Sequence, residues 1–288
     1  MLSKSDFQDN NIRLIMSNHE INKKQFFEQG WCRFEYDLNI ALWIKAVLPH
    51  ARKAVQAKEN EKWLRCGGTW FAGVNVLPNR PDGSIDESPN LQGEVIDFIH
   101  QIIQFDPIKS DQIKLDQAQI SVCYPGYPQP MPSESEEAFG FRQNRDAAHV
   151  DGFLAEGPKR RRFLREYHGF ILGLPLVNFD EAASPIVVWE GSHKLVREAM
   201  VTRFSGHDVE TWGMQDITDS YHAVRQKVFE QCRRITISAK PGEAYLLHRL
   251  VVHGVAPWHE STKSSSDGRM ICYFRPEISS AESWLNDP

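Results

Sequence analysis

Six short runs of β-type residues, separated by turns and long loops, most constrain what this chain can fold into. They are Gln119–Tyr124, Tyr167–Leu176, Pro185–Trp189, Arg234–Ser238, Ala244–Leu247 and Arg269–Arg275. Short strands with turns between them predict a jelly roll or a related barrel. The stretch upstream of residue 117 reads differently. Asn22–Gly30 predicts a short helix ending at glycine, followed by a strand over Trp31–Tyr36. Asp37 is placed to cap a helix from Leu38 to about Glu61, with Ile40, Trp43, Ile44, Val47 and Leu48 at helical spacing. Leu91–Phe105 repeats that pattern through Val95, Phe98, Ile99, Ile102 and Ile103. Pro78–Pro89 and Tyr124–Glu137 are rich in turn residues and read as loops. No linker divides the chain. The expectation is one domain over 1–288, mainly β with flanking helices: a helix-rich part (1–116) packed on a double-stranded β-helix core (117–288).

Composition narrows the function class. Of 288 residues, 41% are hydrophobic and 25% charged, as in soluble globular proteins. A formal net charge of −5 argues against nucleic acid as a partner. No apolar run approaches the ~18 residues that suggest a membrane span, and Met1–Asn11 lacks the apolar core of a signal peptide. Five scattered cysteines without a C-x-x-C pair fit free thiols in a reducing cytoplasm.

The candidate chemistry starts at His149-Val150-Asp151. On a strand, residues i and i+2 point to the same face, so both side chains could reach one metal ion. One more imidazole would complete a 2-His-1-carboxylate triad with open positions, the arrangement of non-haem Fe(II) oxygenases. By itself the tripeptide is equally compatible with a surface turn.

Downstream come Trp189-Glu190-Gly191-Ser192-His193-Lys194, then Pro241-Gly242-Glu243-Ala244-Tyr245-Leu246-Leu247-His248, then His253-Gly254-Val255 and Arg269-Met270-Ile271. With His149 and Asp151, this ordered set over roughly 117–277 resembles the phytanoyl-CoA dioxygenase family of Fe(II)/2-oxoglutarate oxygenases. The opening helix-Gly-strand, Gln25–Phe34, is similar as well. The resemblance implies a cupin-like jelly roll binding Fe(II), 2-oxoglutarate and O₂. It implies oxidative decarboxylation of 2-oxoglutarate to succinate and CO₂, with hydroxylation of a small molecule. His149, Asp151 and His253 would be the iron ligands and Arg269 the anchor of the 2-oxoglutarate carboxylate, since a guanidinium holds a carboxylate bidentately. Asp151 points to hydroxylation, because related halogenases lack this carboxylate.

Rivals remain for two positions. His248 is an odd number of residues from His253, so an unbroken strand would put it on the opposite face. His193, in the Gly191-Ser192-His193 turn, fits a histidine that bonds to backbone. Arg275 lies six residues beyond Arg269 and therefore on the same strand face. Lys159, Arg160, Arg161, Arg162 and Arg165 would attract an anionic substrate if they lay at the pocket mouth; a solvated basic helix face is the alternative. Gly68-Thr69-Trp70-Phe71 would place aromatics over the pocket, or else in the core. Two other classes compete: a cupin-like metal enzyme that does not use 2-oxoglutarate, and a ligand-binding barrel without catalysis.

Overall fold

The computed structural model describes residues 17–102, 114–132, 134–262 and 266–287. Ser17 opens helix α1 (Asn18–Gln29), its hydroxyl accepting from the Glu20 N–H at 3.3 Å, and the helix stops at Gly30. Asp37 starts two helices at once. One carboxylate oxygen accepts from the Asn39 N–H (2.7 Å) in α2 (Leu38–Gln56), and the other from the Glu94 N–H (2.9 Å) at the first residue of α3 (Glu94–Ile102). Such caps satisfy amide groups that a helix start leaves unpaired. The sequence predicts α2 to run to about Glu61, but it ends at Gln56. The Asn60 side chain donates to the Ala54 carbonyl at 2.9 Å, a side-chain bond that competes with the helical ladder, and 58–63 continue as a 3₁₀ turn. The predicted end of α3 at Phe105 lies outside the described residues.

All six β-type runs form strands. With the first segments of the chain they build two antiparallel sheets. The larger has β1 (Trp31–Phe34), β2 (Leu64–Arg65), β3 (Trp70–Gly73), β4 (Gln119–Cys123), β7 (Phe170–Pro175), β10 (Ala244–His248) and β12 (Arg269–Phe274), in the order β1-β10-β7-β12-β4-β3-β2. Its strands β1, β2 and β3 come from before residue 117, so the large sheet draws on both sides of that point. The smaller sheet has the order β11-β8-β9, with β8 (Ile186–Trp189), β9 (Arg234–Ile237) and β11 (His253–Val255). A separate hairpin pairs β5 (Phe153–Glu156) with β6 (Arg161–Leu164).

Strand alternation sorts the core into layers. On one face of the large sheet Ile120, Val122, Leu172, Leu174, Leu246, Met270, Cys272 and Phe274 pack against Phe26, Trp43, Val47 and Phe98 of the N-terminal helices. On the other face Ile171, Tyr245, Leu247, Ile271 and Tyr273 meet Ile186, Val188 and Ile237 of the small sheet. Behind the small sheet, Val187 and Trp189 pack on α5 (Ser192–Phe204), α6 (Thr218–Gln231) and α7 (Ala281–Asn286). Neither these helices nor α4 (Glu136–Asn144) stand out in the sequence. Phe71 belongs to the helix-facing core, while Trp70 points the other way, its indole N–H donating to Ser121 Oγ at 3.1 Å. Among the described residues no helix is long and apolar enough to cross a membrane.

Candidate metal centre

The structure brings His149, Asp151 and His253 together. One potential ligand atom from each lies within 4.8 Å of the others, and among the described residues this is the one such group of His, Cys, Asp and Glu side chains. It forms at the edge of the small sheet. His149 and His253 face each other in a single antiparallel bridge, each N–H donating to the other's carbonyl at 2.8 and 3.0 Å. Gly254 permits that approach. A Cβ there would lie 2.2 Å from the Asp146 carbonyl oxygen and 3.3 Å from Ala148 Cα. The glycine that follows His253 is thus a packing requirement of the site.

The strand geometry expected for His149 and Asp151 is not what the structure shows. His149 occupies one bridge position, not a strand, and Asp151 sits in the turn that follows. The turn rather than strand parity aims the carboxylate. It is fixed by a clamp of hydrogen bonds. The Val150 N–H donates to Tyr221 Oη (3.1 Å), Arg225 donates to the Ala148 carbonyl (3.3 Å), the Arg165 N–H donates to the Gly152 carbonyl (2.8 Å), and Arg162 donates to the Phe153 carbonyl (2.7 Å). Upstream, Asp146 is gripped by both Nε (2.7 Å) and Nη2 (2.8 Å) of Arg234 on β9.

Both imidazoles are oriented by the same local device. His149 Nδ1–H donates to the Ala147 carbonyl (2.9 Å) and His253 Nδ1–H to the Val251 carbonyl (3.0 Å). Fixing the proton on Nδ1 leaves Nε2 as the lone-pair donor. Asp151 Oδ1 lies 3.2 Å from His149 Nε2 and 3.8 Å from His253 Nε2. Burial works to raise the Asp151 carboxyl, but Arg275 and the two histidines outweigh it and hold it well below the usual carboxylate range. Burial, with His149 beside it, lowers His253 to about 4 against the pull of Asp151. An ionised carboxylate beside a neutral imidazole is the donor state a divalent ion requires.

Arg269 opens β12 on the face between the sheets and is 1% exposed. Its Nη2 reaches Tyr273 Oη at 3.4 Å, and Tyr245 Oη donates to the same oxygen at 2.9 Å. Its Nε and Nη1 are buried without a partner, as is Ser184 Oγ. Buried polar groups are normally paired, so this cation fits an anionic ligand. Arg275 also points inward, as the six-residue interval requires, but its Nη1 meets Asp151 Oδ2 at 3.1 Å.

The rival histidines lie elsewhere. His248 ends β10 on the helix-facing side, with ring centroids 5.7 Å from Phe26 and 4.7 Å from His193. Parity foresees that face, although the strand breaks before His253. His193 is in the first turn of α5, its Nε2–H bonded to the Phe27 carbonyl at 3.1 Å. The basic run forms strand β6 and its approach, not a helix face. Arg161 pairs with Asp216, Arg165 with Glu156, and Arg162 lies over the Tyr221 ring at 5.5 Å. Tyr221, Arg225 and Arg234 carry no motif, and α6, which presents the first two, is inconspicuous in the sequence. Tyr273 was within reach of strand parity, four residues from Arg269 on the same face.

No family model matches the chain, and no curated protein matches it. Solved structures do. One is the non-haem α-ketoglutarate-dependent carbocyclase SnoK from nogalamycin biosynthesis, with TM-score 0.46, 14% identity, and coverage of 92% of this chain and 89% of that one. Another is the epimerase SnoN with Fe³⁺, α-ketoglutarate and nogalamycin RO, at TM-score 0.45, 12% identity, 89% and 83% coverage. A third is EctD from S. alaskensis with 2-oxoglutarate and 5-hydroxyectoine, at TM-score 0.41, 12% identity, 90% and 75% coverage. At TM-scores below 0.5 the chemistry of this chain has to be read from its own residues. Those residues form a pre-oriented His-Asp-His cluster that can hold a divalent metal ion.

Proposed function

We propose that the chain is an Fe(II)/2-oxoglutarate-dependent oxygenase that hydroxylates a small molecule. Its two packed sheets are then the halves of a double-stranded β-helix within one domain over 1–288, as the resemblance to the phytanoyl-CoA dioxygenase family implies. The observation that carries this reading is the pairing of two features. One is the His-Asp-His set with both Nδ1 atoms tied to backbone and both Nε2 atoms turned toward Asp151; the other is a buried arginine with two unpaired nitrogens.

Bound iron and 2-oxoglutarate supply the oxidising chemistry, with O₂ as oxidant and succinate and CO₂ as products. The protein supplies geometry. His149, His253 and Asp151 would hold the metal and leave its remaining positions open. Arg269 holds the far carboxylate of the cosubstrate through Nε and Nη1. Ile171, Ile186, Val188, Leu247 and Ile271 keep the space between the sheets apolar and exclude water. The carboxylate of Asp151 fills the position that a halogenase would leave to halide, which favours hydroxylation. An anionic substrate gains little support, because Arg161 and Arg165 are neutralised by the protein's own carboxylates. Arg269 also weighs against the cupin-like alternative that does not use 2-oxoglutarate, since such a site needs no buried cation there.

The test is anaerobic titration of Fe(II) and 2-oxoglutarate, followed by succinate release in air. Wild type and His248→Ala should develop a visible charge-transfer band; His253→Ala should bind no iron. A wild-type protein that binds iron yet never consumes 2-oxoglutarate, even uncoupled from substrate, removes the proposal.

A further inference from the structure

The two oxygens of Asp151 face different partners. Oδ1 is the oxygen turned to the imidazoles, 3.2 Å from His149 Nε2 and 3.8 Å from His253 Nε2. Oδ2 is taken by Arg275 Nη1 at 3.1 Å. Arg275 is held firmly enough to do this. It follows directly on β12, its side chain is 14% exposed, and its backbone is tied at both ends. Its N–H donates to Asp116 Oδ1 at 2.8 Å, and its carbonyl accepts from His168 Nδ1 at 2.7 Å. His168 is fixed in turn by Glu166 Oε2, 2.9 Å from its Nε2.

A carboxylate with both oxygens free can ligate a divalent ion through one or both. The difference matters at this site. Two imidazoles and one oxygen leave three positions of an octahedron; two imidazoles and two oxygens leave two. A chelating 2-oxo acid uses two, and the oxidant needs another. We propose, on the reading of the site as an iron centre, that Arg275 is a positioning residue: by reserving Asp151 Oδ2 it restricts the carboxylate to one metal bond and keeps the third position open. This separates the two inward-facing arginines, one at the start of β12 and one just past its end. Both keep an unpaired Nε, but Arg269 also leaves Nη1 unpaired, whereas Arg275 Nη1 is spent on Asp151.

The experiment needs no turnover. Manganese(II) is bound to wild type, Arg275→Met and Arg275→Lys, and the relaxation of water protons counts the exchangeable inner-sphere positions. The affinity of each metal-loaded protein for 2-oxoglutarate is measured by calorimetry. Arg275→Met should keep its metal but lose about a third of the inner-sphere relaxivity, one position of three. With 2-oxoglutarate bound, which takes two positions, it should keep no exchangeable inner-sphere water where wild type keeps one. Arg275→Lys, which keeps a cation against Oδ2, should return both readings toward wild type.

Unchanged relaxivity in metal-loaded Arg275→Met overturns the proposal. If 2-oxoglutarate binding falls while relaxivity stays, Arg275 touches the cosubstrate itself, and the proposal is again wrong. Loss of the metal altogether would mean that Arg275 sets affinity rather than denticity, which overturns it equally. Should the methionine variant not fold, Arg275→Gln, too short to reach Oδ2, gives the same readout. Failure of the wild type to bind manganese or iron would count against the iron reading of the site instead.

Discussion

Replacing Arg269 by Met should separate what this residue costs the fold from what it gives the ligand. The residue is 1% exposed, and two of its nitrogens, Nε and Nη1, have no partner. Each unsatisfied buried donor costs ~1–3 kcal/mol. The compensations include a long contact to Tyr273 at 3.4 Å, the neighbouring Cys123 thiol and Tyr245 hydroxyl, and a ring contact to Phe179 at 5.8 Å, the last worth ~0.5–2 kcal/mol. Methionine of similar length fills the space without orphan donors. The ligand-free variant should therefore be at least as stable as wild type, with a midpoint equal or up to ~2–4 °C higher for a gain of ~1 kcal/mol in a chain of this size. Cosubstrate binding should move the other way. Losing a buried charged contact costs ~2–5 kcal/mol, which weakens 2-oxoglutarate by ~30- to ~4000-fold. Thermal unfolding with and without ligand reads both effects. At 100 times its Kd, 2-oxoglutarate stabilises wild type by ~2.7 kcal/mol, whereas the same concentration should stabilise the variant by less than ~1 kcal/mol. A Kd within threefold of wild type, or a ligand-free midpoint several degrees lower, refutes the assignment of Arg269 as an unsatisfied cation waiting for a carboxylate.

Two further outcomes follow from the same geometry. In Gly254→Ala the new Cβ would sit 2.2 Å from the Asp146 carbonyl oxygen, so the bridge between His149 and His253 must open. We expect a stability loss of ~1–3 kcal/mol by urea unfolding and at least a tenfold loss of iron affinity; unchanged affinity would show that the bridge does not set the ligand spacing. In the metal-free protein, burial holds His193 down to about 4 while an unfolded histidine titrates near ~6.5. The unfolded chain therefore binds the extra proton, and stability is lost as pH falls from ~6.5 to ~4, by up to ~1.4 kcal/mol per unit from this residue. Urea midpoints across that window should flatten in His193→Gln; an unaltered slope would place the acid sensitivity elsewhere, with His248 and His253 the next residues to replace.

The strands were legible because each carries its own evidence. Runs such as Arg269–Arg275 alternate between an inner face of Arg269, Ile271 and Tyr273 and a helix-facing side of Met270, Cys272 and Phe274, and turn residues bound them. Sheet order was not legible, because it is a property of pairs far apart in the chain. Nothing within Trp31–Phe34 announces that it will lie beside Ala244–Leu247. The helices α5 and α6 escaped for a different reason. They bury only Ser192, His193, Val196, Met200 and Phe204, and Thr218, Tyr221, Val224 and Val228, so their apolar stripes are narrow and interrupted by polar residues.

The site shows where motif reading stops and tertiary structure begins. The grouping of His149, Asp151 and His253 could be anticipated because the resemblance sets particular residue types in order, and His253 was marked by the glycine beside it. The structure gives that glycine a physical reason in the approach of residues 146–148. What aims those side chains has no such constraint. The amide between His149 and Asp151 needs only some acceptor, and Tyr221 supplies it from a helix 71 residues away along the chain. A carboxylate held to one oxygen needs only some donor, and Arg275 supplies it 124 residues from Asp151. Many residue types on many elements could meet either demand. The supporting shell of this centre therefore leaves no pattern of its own and becomes visible only once the strands are in register.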